Sequence, residues 1–323
     1  MSSQYYIAFW NLENLFDIEG SPRRSEKIQR EISKSIKNWT QDKLDRKVSQ
    51  LASIIRQMNS GRGPDMLGVC EIENEHVMEL LIQALAPLGR NYAIVHHDTQ
   101  DQRGIDVGII YDSDLFTVEA QFNHFVMRRT ATRDILQVNF FTPQRRRFVV
   151  IVNHWPSRLG SESQSQVYRA IAGETLAYFH ERIMDVHGSC TPVLAMGDFN
   201  DEPFDRSLED YALSTRSDTK VVRAKNALFL NLMWPSMGEG LATYYYDNIP
   251  CFLDQFLVNK NMLTQKAPIR VLDDSVEVFH LPEMVDTGTY PTPIRFGGMG
   301  KEVNLNGFSD HFPIAVSIQE KRE

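Results

Sequence analysis

The apolar positions of this chain fall into short runs separated by polar stretches. Tyr5 to Trp10 is the first and is nearly continuous. A run without alternation suits a strand buried on both faces, in the middle of a sheet. Residues 21–38 are charged and polar and predict an exposed helix or loop. Leu44, Val48, Leu51, Ile55 and Met58 then recur at spacings of three and four, one face of a helix. Thr40 supplies its N-cap, Asp42 an acid in its first turn, and Asn59-Ser60-Gly61 its stop. Asp65 to Cys70 predicts a second buried strand, and 75–86 a second helix. Strand-like runs follow at 92–97, 106–111, 115–126, 134–141 and 148–153. The turn residues Thr142-Pro143-Gln144 make a hairpin of the last two. Residues 163–187 predict a long helix packing through Val167, Ile171, Tyr178 and Arg182/Ile183. A strand at 193–196, a short helix at 205–213 and strands at 252–258 and 313–318 complete the pattern. Many strands with few helices predict two packed sheets with helices outside them. The stretch 273–307, rich in Pro, Gly and Thr, predicts a long functional loop running into Ser309-Asp310-His311.

With 323 residues, 42% hydrophobic, the chain is long enough to bury a large core. The net charge of -8 argues against a broad basic surface for nucleic acid, but leaves room for local phosphate contacts made with bound cations. Three widely spaced cysteines, Cys70, Cys190 and Cys251, make neither a disulfide framework nor a zinc site. No basic start with an apolar core marks a signal peptide, and no run approaches the roughly 18 apolar residues of a membrane span. The expected location is the cytoplasm.

Six apolar segments end in a carboxylate, an amide or a histidine. They are Phe9-Trp10-Asn11-Leu12-Glu13-Asn14, Gly68-Val69-Cys70-Glu71, Val152-Asn153-His154-Trp155-Pro156-Ser157-Arg158, Met196-Gly197-Asp198-Phe199-Asn200, Phe252-Leu253-Asp254-Gln255 and Phe308-Ser309-Asp310-His311-Phe312-Pro313. A buried strand-end carboxylate such as Glu71 is costly to ionise alone. A hard cation with oxygen ligands removes that cost, and a helix or turn capped by the carboxylate is the other reading. Asp198 and Asn200, two apart, face one point in extended chain, or else form an Asx-turn. His154 is a phosphate contact or a hydrogen-bonded structural histidine. Asp106, a carboxylate inside a strand pattern, pairs with His154, with Arg103 or with a turn.

In this order the six segments resemble the endonuclease/exonuclease/phosphatase superfamily, from Asn11 to His311. The resemblance implies one domain over 1–323: an α/β fold, a four-layer α-β-β-α sandwich of two packed mixed sheets, deoxyribonuclease I-like. It implies a divalent metal, Mg²⁺ or Mn²⁺, at Glu71 with Asn11 and Asp310 beside it. It implies that Asp254 orients His311, and it matches His154 to a family histidine. The expected reaction is metal-assisted phosphodiester hydrolysis. His311, held by Asp254 and with Asp198 nearby, activates the water. Asn11, Asn200 and His154 bind phosphoryl oxygens, and the metal offsets the developing charge. Glu13, Asn14, Glu73 and Asn74 are expected to support these groups or form turns.

Strand direction sorts the arginines. Arg145, Arg146 and Arg147 lie about eight residues from His154, on the order of 25 Å along a strand, and so belong to the far rim. Arg103, Arg128, Arg129, Arg133 and Arg158 fall on the active side and are the expected phosphate contacts. Phe252-Leu253-Asp254-Gln255 lacks the Trp-Cys-Asp-Arg of the inositol-polyphosphate phosphatase branch. Asn-His-Trp-Pro-Ser-Arg and Leu-Asp-Gln-Phe look most like the bacterial-type nuclease and hydrolase members. The expected substrate is a phosphodiester, with nucleic acid first. The alternatives are a lipid headgroup or small phosphoester, and a non-catalytic binding protein on the same fold.

Overall fold

The structure is a computed structural model that describes residues 2–129, 131–158, 162–240, 242–298 and 300–322. In chain order the strands are β1 (Ser3–Leu15), β2 (Met66–Ile72), β3 (Tyr92–His96), β4 (Asp106–Asp112), β5 (Thr117–His124), β6 (Ile135–Phe141), β7 (Arg147–His154) and β8 (Val193–Asp198). There follow β9 (Ser214–Thr215), β10 (Phe229–Asn231), β11 (Tyr244–Tyr246), β12 (Ile249–Cys251), β13 (Asp254–Asn259), β14 (Ile269–Val271), β15 (Glu277–Val278) and β16 (Ile314–Glu320). The helices are α1 (Glu26–Ile32), α2 (Gln41–Ile55), the single turn α3 (Met58–Gly61), α4 (Glu75–Ala84), α5 (Glu162–His187) and α6 (Asp218–Arg223).

Two mixed sheets pack face to face. The first runs β14-β16-β1-β2-β4-β3, and the second β5-β6-β7-β8-β13-β10-β9. Each contains one parallel pair of long strands, β1 with β2 and β7 with β8. A parallel pair needs a crossover. The first crossover carries α2 and the second carries α5. The apolar run of β1 serves both faces at once. Tyr5, Ile7 and Phe9 point between the sheets, against Val138, Phe140, Val150, Leu194 and Phe256. Tyr6, Ala8 and Trp10 point outward under α2 and α4, with Leu44, Val48, Leu51, Ile55 and Met58 above them. On the other side, Val149, Ile151, Val193 and Ala195 pack under α5. The fold is therefore the α/β four-layer sandwich, with helices outside both sheets.

The β6–β7 hairpin forms as expected, with Phe141 opposite Arg147. The face of α5 does not. Val167 and Tyr178 are each 57% exposed. The buried positions are Arg169, Ala172, Leu176, His180 and Ile183, again at spacings of three and four. Polar residues occupy two of them. Arg169 pairs with Asp201 at 2.7 Å, and His180 stacks on Phe229 with ring centroids 3.9 Å apart. Among the described residues no helix is long and apolar enough to cross a membrane.

Candidate active site

Strand register assembles the site. His154 lies opposite Asp198 across the parallel β7–β8 pair, and Asp198 lies opposite Asp254 across β8–β13. The last residues of β7 and β8 and the first of β13 thus form one row at the edge of the second sheet. A glycine precedes Asp198 because a Cβ at Gly197 would stand 2.2 Å from the Asn153 carbonyl oxygen. In the first sheet, Asn11 lies opposite Cys70, and both β1 and β2 lose register immediately afterwards. Bulges of this kind re-aim side chains. Glu13, Asn14 and Glu71 have φ of 49°, 58° and 59°, and Asn200 has 52°. Left-handed backbone at non-glycine residues costs on the order of 1–3 kcal/mol each and is concentrated here at the two strand ends that face each other.

The side chains meet across the seam between the sheets. Asn11 Nδ2 donates to Asp198 Oδ2 at 3.1 Å. His311 Nδ1 stands 2.7 Å from Asp254 Oδ2. The Nε2 atoms of His311 and His154 lie 3.9 and 3.8 Å from the same Asp198 oxygen. His154 Nε2 is also 3.8 Å from Glu71 Oε1. Glu71 accepts from the Asn14 amide at 3.0 Å and from Arg103 Nη2 at 3.2 Å. Trp10 Nε1 donates to the His311 carbonyl (2.8 Å), and Ser309 Oγ donates to the Asn11 carbonyl (2.6 Å), which lock the last segment onto the first strand. Half-buried Asp310 lines a cavity of about 720 Å³ together with Tyr244, Arg295 and Lys301.

Burial and charge act on these groups in opposite senses. Burial pushes the Asp198 carboxyl up to about 7, against the pull of His311 and with the push of Asp254. Burial works against a charged His311, but Asp254, Asp198 and Asp310 outweigh it and hold the imidazole well above its ordinary value. Burial, then Arg133, Arg103 and His311, drive His154 well below. For Glu71 burial is overcome by Arg103, His311 and Arg133, which hold the carboxyl down. Asp310 is raised by burial and by Glu71, with His311 opposing.

Several expected residues take other partners. Arg133 is buried and donates to Asp101 Oδ2 (3.1 Å) and to the Trp155 carbonyl (2.9 Å), so it braces the β7 end and offers no free fork to a phosphate. Arg128 lies over the Tyr168 ring at 4.4 Å. Arg158 donates to the Asn200 carbonyl at 2.9 Å and to Asp205 at 3.0 Å, and is 42% exposed. Arg103, also 42% exposed, covers Glu71 directly. Asn200 donates its amide to the Trp155 carbonyl, and its backbone N–H caps Asp198 Oδ1 at 2.9 Å, the Asx-turn contact. Asp106 does not meet His154. It accepts from Thr99 and faces His96, while His154 Nδ1 has no hydrogen-bond partner among the described residues. Of the supporting residues, Asn74 caps α4 and Glu73 pairs with Arg24. The arginine triplet lies on the far rim, where Arg147 pairs with Glu119.

Two contributors escape the strand-end pattern. Lys47 is fully buried under the site. It donates to the Glu13 carbonyl and lies 4.9 Å from the centre of the Phe296 ring. The Glu13 carboxylate accepts from the backbone N–H groups of Phe296 and Gly297 at 2.8 and 3.1 Å, which pins the long loop to β1. A lysine on the apolar face of a predicted helix, beside Leu44 and Val48, was the available signal. Tyr244 packs its ring 4.7 Å from that of His311. It sits on a hairpin whose turn, Asp247-Asn248, has positive φ at both residues, the signature of a tight β-turn.

A sequence profile of the Endonuclease/Exonuclease/phosphatase family matches residues 6–320. No curated protein matches the chain in sequence. Among solved structures, an endonuclease/exonuclease/phosphatase family protein from Bacteroides thetaiotaomicron is 16% identical, with 100% of both chains covered and a TM-score of 0.57. D. rerio TDP2 complexed with a single-strand DNA product is 13% identical over 98% of this chain and 99% of that one, TM-score 0.58. The Bacteroides thetaiotaomicron mannosyl-6-phosphatase Bt3783 is 16% identical over 97% and 99%, TM-score 0.54. At these identities the structural likeness is one of fold. With the profile spanning nearly every residue from β1 to the end of β16, the chain belongs to the endonuclease/exonuclease/phosphatase family.

Proposed function

We propose that the protein is a divalent-metal-dependent phosphodiesterase that cleaves DNA. The observation that carries this reading is the Asp198 carboxylate. Two histidine nitrogens reach to within 4 Å of one of its oxygens, and one of those histidines is seated on a second carboxylate. A proton acceptor with its pKa near neutrality, flanked by a protonated and a neutral imidazole, suits in-line attack of water on phosphorus. The likeness to a DNA-bound family member supports the choice of polymer.

The residues also fit a hard cation. Glu71, Asp198 and Asp310 line one cleft, and burial together with the neighbouring Glu71 raises the Asp310 carboxyl. Glu71 and Asp310 would hold the ion, with Asn11 beside them. When bound, Mg²⁺ or Mn²⁺ supplies Lewis acidity at the phosphoryl and leaving oxygens. The chain does the rest. Asp198, fixed by the Asn11 side chain and by the Asn200 backbone N–H, accepts the proton of the attacking water. His311, kept protonated by Asp254, donates from Nε2 to a phosphoryl oxygen. This division differs from a histidine base, because the three carboxylates around His311 keep its proton in place. His154 stays neutral and hydrogen-bonds a second oxygen, and Arg103 contacts phosphate at the mouth of the cleft.

A second reading, hydrolysis of a small phosphoester, is favoured by the cavity beside Asp310 with its tyrosine, arginine and lysine lining. The likeness to a mannosyl-6-phosphatase points the same way. The test is turnover of plasmid DNA, bis-p-nitrophenyl phosphate, phospholipids and sugar phosphates with Mg²⁺ or Mn²⁺, using Glu71→Gln as control. DNA cleavage that needs the ion and vanishes in Glu71→Gln is expected. Turnover confined to sugar phosphates selects the second reading, and none on any substrate removes both.

A further inference from the structure

Outside the cleft, a second group of ligand-type side chains gathers where β3 ends and β4 begins. His96 Nε2, Asp106 and Asp98 bring three candidate ligand atoms within 4.8 Å of one another. The His96 side chain is 4% exposed, and its Nε2 has no hydrogen-bond partner among the described residues. That nitrogen faces Asp106 Oδ2 at 3.4 Å. A protonated ring in an ordinary ion pair would close to about 2.7–2.9 Å along its N–H. Here the buried nitrogen and the carboxylate oxygen stand face to face beyond that distance, at a spacing that two ligands of one ion share. Asp106 is held for the purpose, because its other oxygen accepts from Thr99 N (3.0 Å) and Thr99 Oγ1 (2.5 Å). Asp98 is exposed and closes the group from the solvent side.

We propose that His96 Nε2, Asp106 and Asp98 hold a zinc-class divalent cation, separate from the catalytic centre. One imidazole with two carboxylates is a borderline donor set. Such a set suits Zn²⁺ rather than Mg²⁺ or Ca²⁺, which take oxygen ligands alone. Bonds of about 2.0–2.2 Å require ligand atoms roughly 3.3 Å apart on a tetrahedron, so the His96–Asp106 pair is already at spacing and Asp98 has only to close in, leaving a fourth position for water. The ion would tie down the loop 97–105. That loop carries Asp101, which holds Arg133, and Arg103, which covers Glu71. A cation here thus positions the roof of the cleft without touching substrate.

The test counts metal on the full chain. Metal-stripped protein is dialysed against Zn²⁺ at neutral pH and its zinc content and affinity measured, with Co²⁺ absorption reporting the ligand field. At least one zinc equivalent is expected in the wild type, and one should persist in Glu71→Gln. His96→Gln and Asp98→Asn should each weaken it by on the order of 10–100-fold or more, since loss of a direct ligand costs at least as much as loss of its support. Asp98 is exposed, so its substitution leaves the fold intact even if His96→Gln does not fold. Zinc binding unchanged in Asp98→Asn, or lost only in Glu71→Gln, overturns the proposal, as does a site that takes Ca²⁺ with the same dependence but not Zn²⁺.

Discussion

The two sides of the cleft hold histidines that are equally buried but differ in charge, one protonated and one neutral. His311 is seated on Asp254 at 2.7 Å and keeps its proton. His154, a few ångströms away across Asp198, has no carboxylate at Nδ1, faces Arg133 and Arg103, and is neutral. Burial disfavours the charged form of both. What separates them is whether a carboxylate or a guanidinium stands behind the ring. His180, on the buried face of α5, is the reference case: stacked on Phe229 with neither ring nitrogen partnered among the described residues, it is held down to about 3 by burial and by Lys260. The lesson is that burial sets a common penalty and the neighbour decides its outcome, which gives the cleft one donor that is charged and one that is not.

The largest effect expected from this contrast is on turnover. His311→Ala should slow the reaction by on the order of 10³-fold, since it removes a charged donor to a phosphoryl oxygen. Asp254→Ala should do nearly the same, and the double variant should be no slower than His311→Ala alone, because the aspartate acts through the ring. Multiplicative losses in single-turnover rates would mean that Asp254 has a separate task and would break the contrast at its strong end. Next comes Arg133→Ala. Removing one partner of a buried pair costs about 3–5 kcal/mol, and here it strands Asp101 and frees the Trp155 carbonyl. Urea midpoints measure the loss, and NMR titration of His154 should show its proton affinity rise. A stable variant with a raised Michaelis constant would instead return Arg133 to phosphate binding.

A smaller effect, on the order of 10²-fold in kcat, is expected for His154→Ala, which removes one neutral donor to a phosphoryl oxygen. A Gln at 154 should recover part of it, whereas a loss equal to that of His311→Ala would erase the distinction between the two sides. Within a single pH unit the smallest effect is on stability, at His180. Its folded value lies below its unfolded value of about 6.5, so the unfolded chain binds the proton first as pH falls. Stability is complete above about pH 6.5 and drains toward pH 3 by at most about 1.4 kcal/mol per unit. In His180→Leu this acid slope should flatten. An unchanged slope would show that burial alone does not exclude the proton.

Which of these features were legible in the sequence follows from how far apart their causes lie. The six strand ends were readable because each carries its own apolar run and its own polar terminus. Helix α2 was readable from one face of aliphatic residues, and the β6–β7 hairpin from a local turn. The buried face of α5 was not, because Arg169 and His180 are rendered apolar in effect by Asp201 and Phe229, which come from other elements. Arg133 looked available because Asp101 and the Trp155 carbonyl are 32 and 22 residues away. Of the three partners offered for Asp106, His154 is not met for the same reason: the pairing of β3 with β4, invisible in the sequence, brings it to His96, while the local contact to Thr99 is the turn alternative. The β11–β12 hairpin bearing Tyr244 is too short for periodicity to find, though its Asp-Asn turn was on view.

Synthesis of the chain proceeds from β1 to β16, and these two strands are neighbours, with Phe9 opposite Ile314. Trp10 and His311, bonded in the finished protein, are separated by 301 positions. At about 5–20 residues per second, one long edge of the central strand waits unpaired on the ribosome for on the order of tens of seconds. Such an edge invites pairing with other chains, so this protein has a reason to need shielding while it is being made. The same delay is also a safeguard. Every nascent chain that has not reached its final strand lacks Asp310 and His311 in place, so a cleft proposed to cut phosphodiesters is inert beside the messenger and ribosome that produce it.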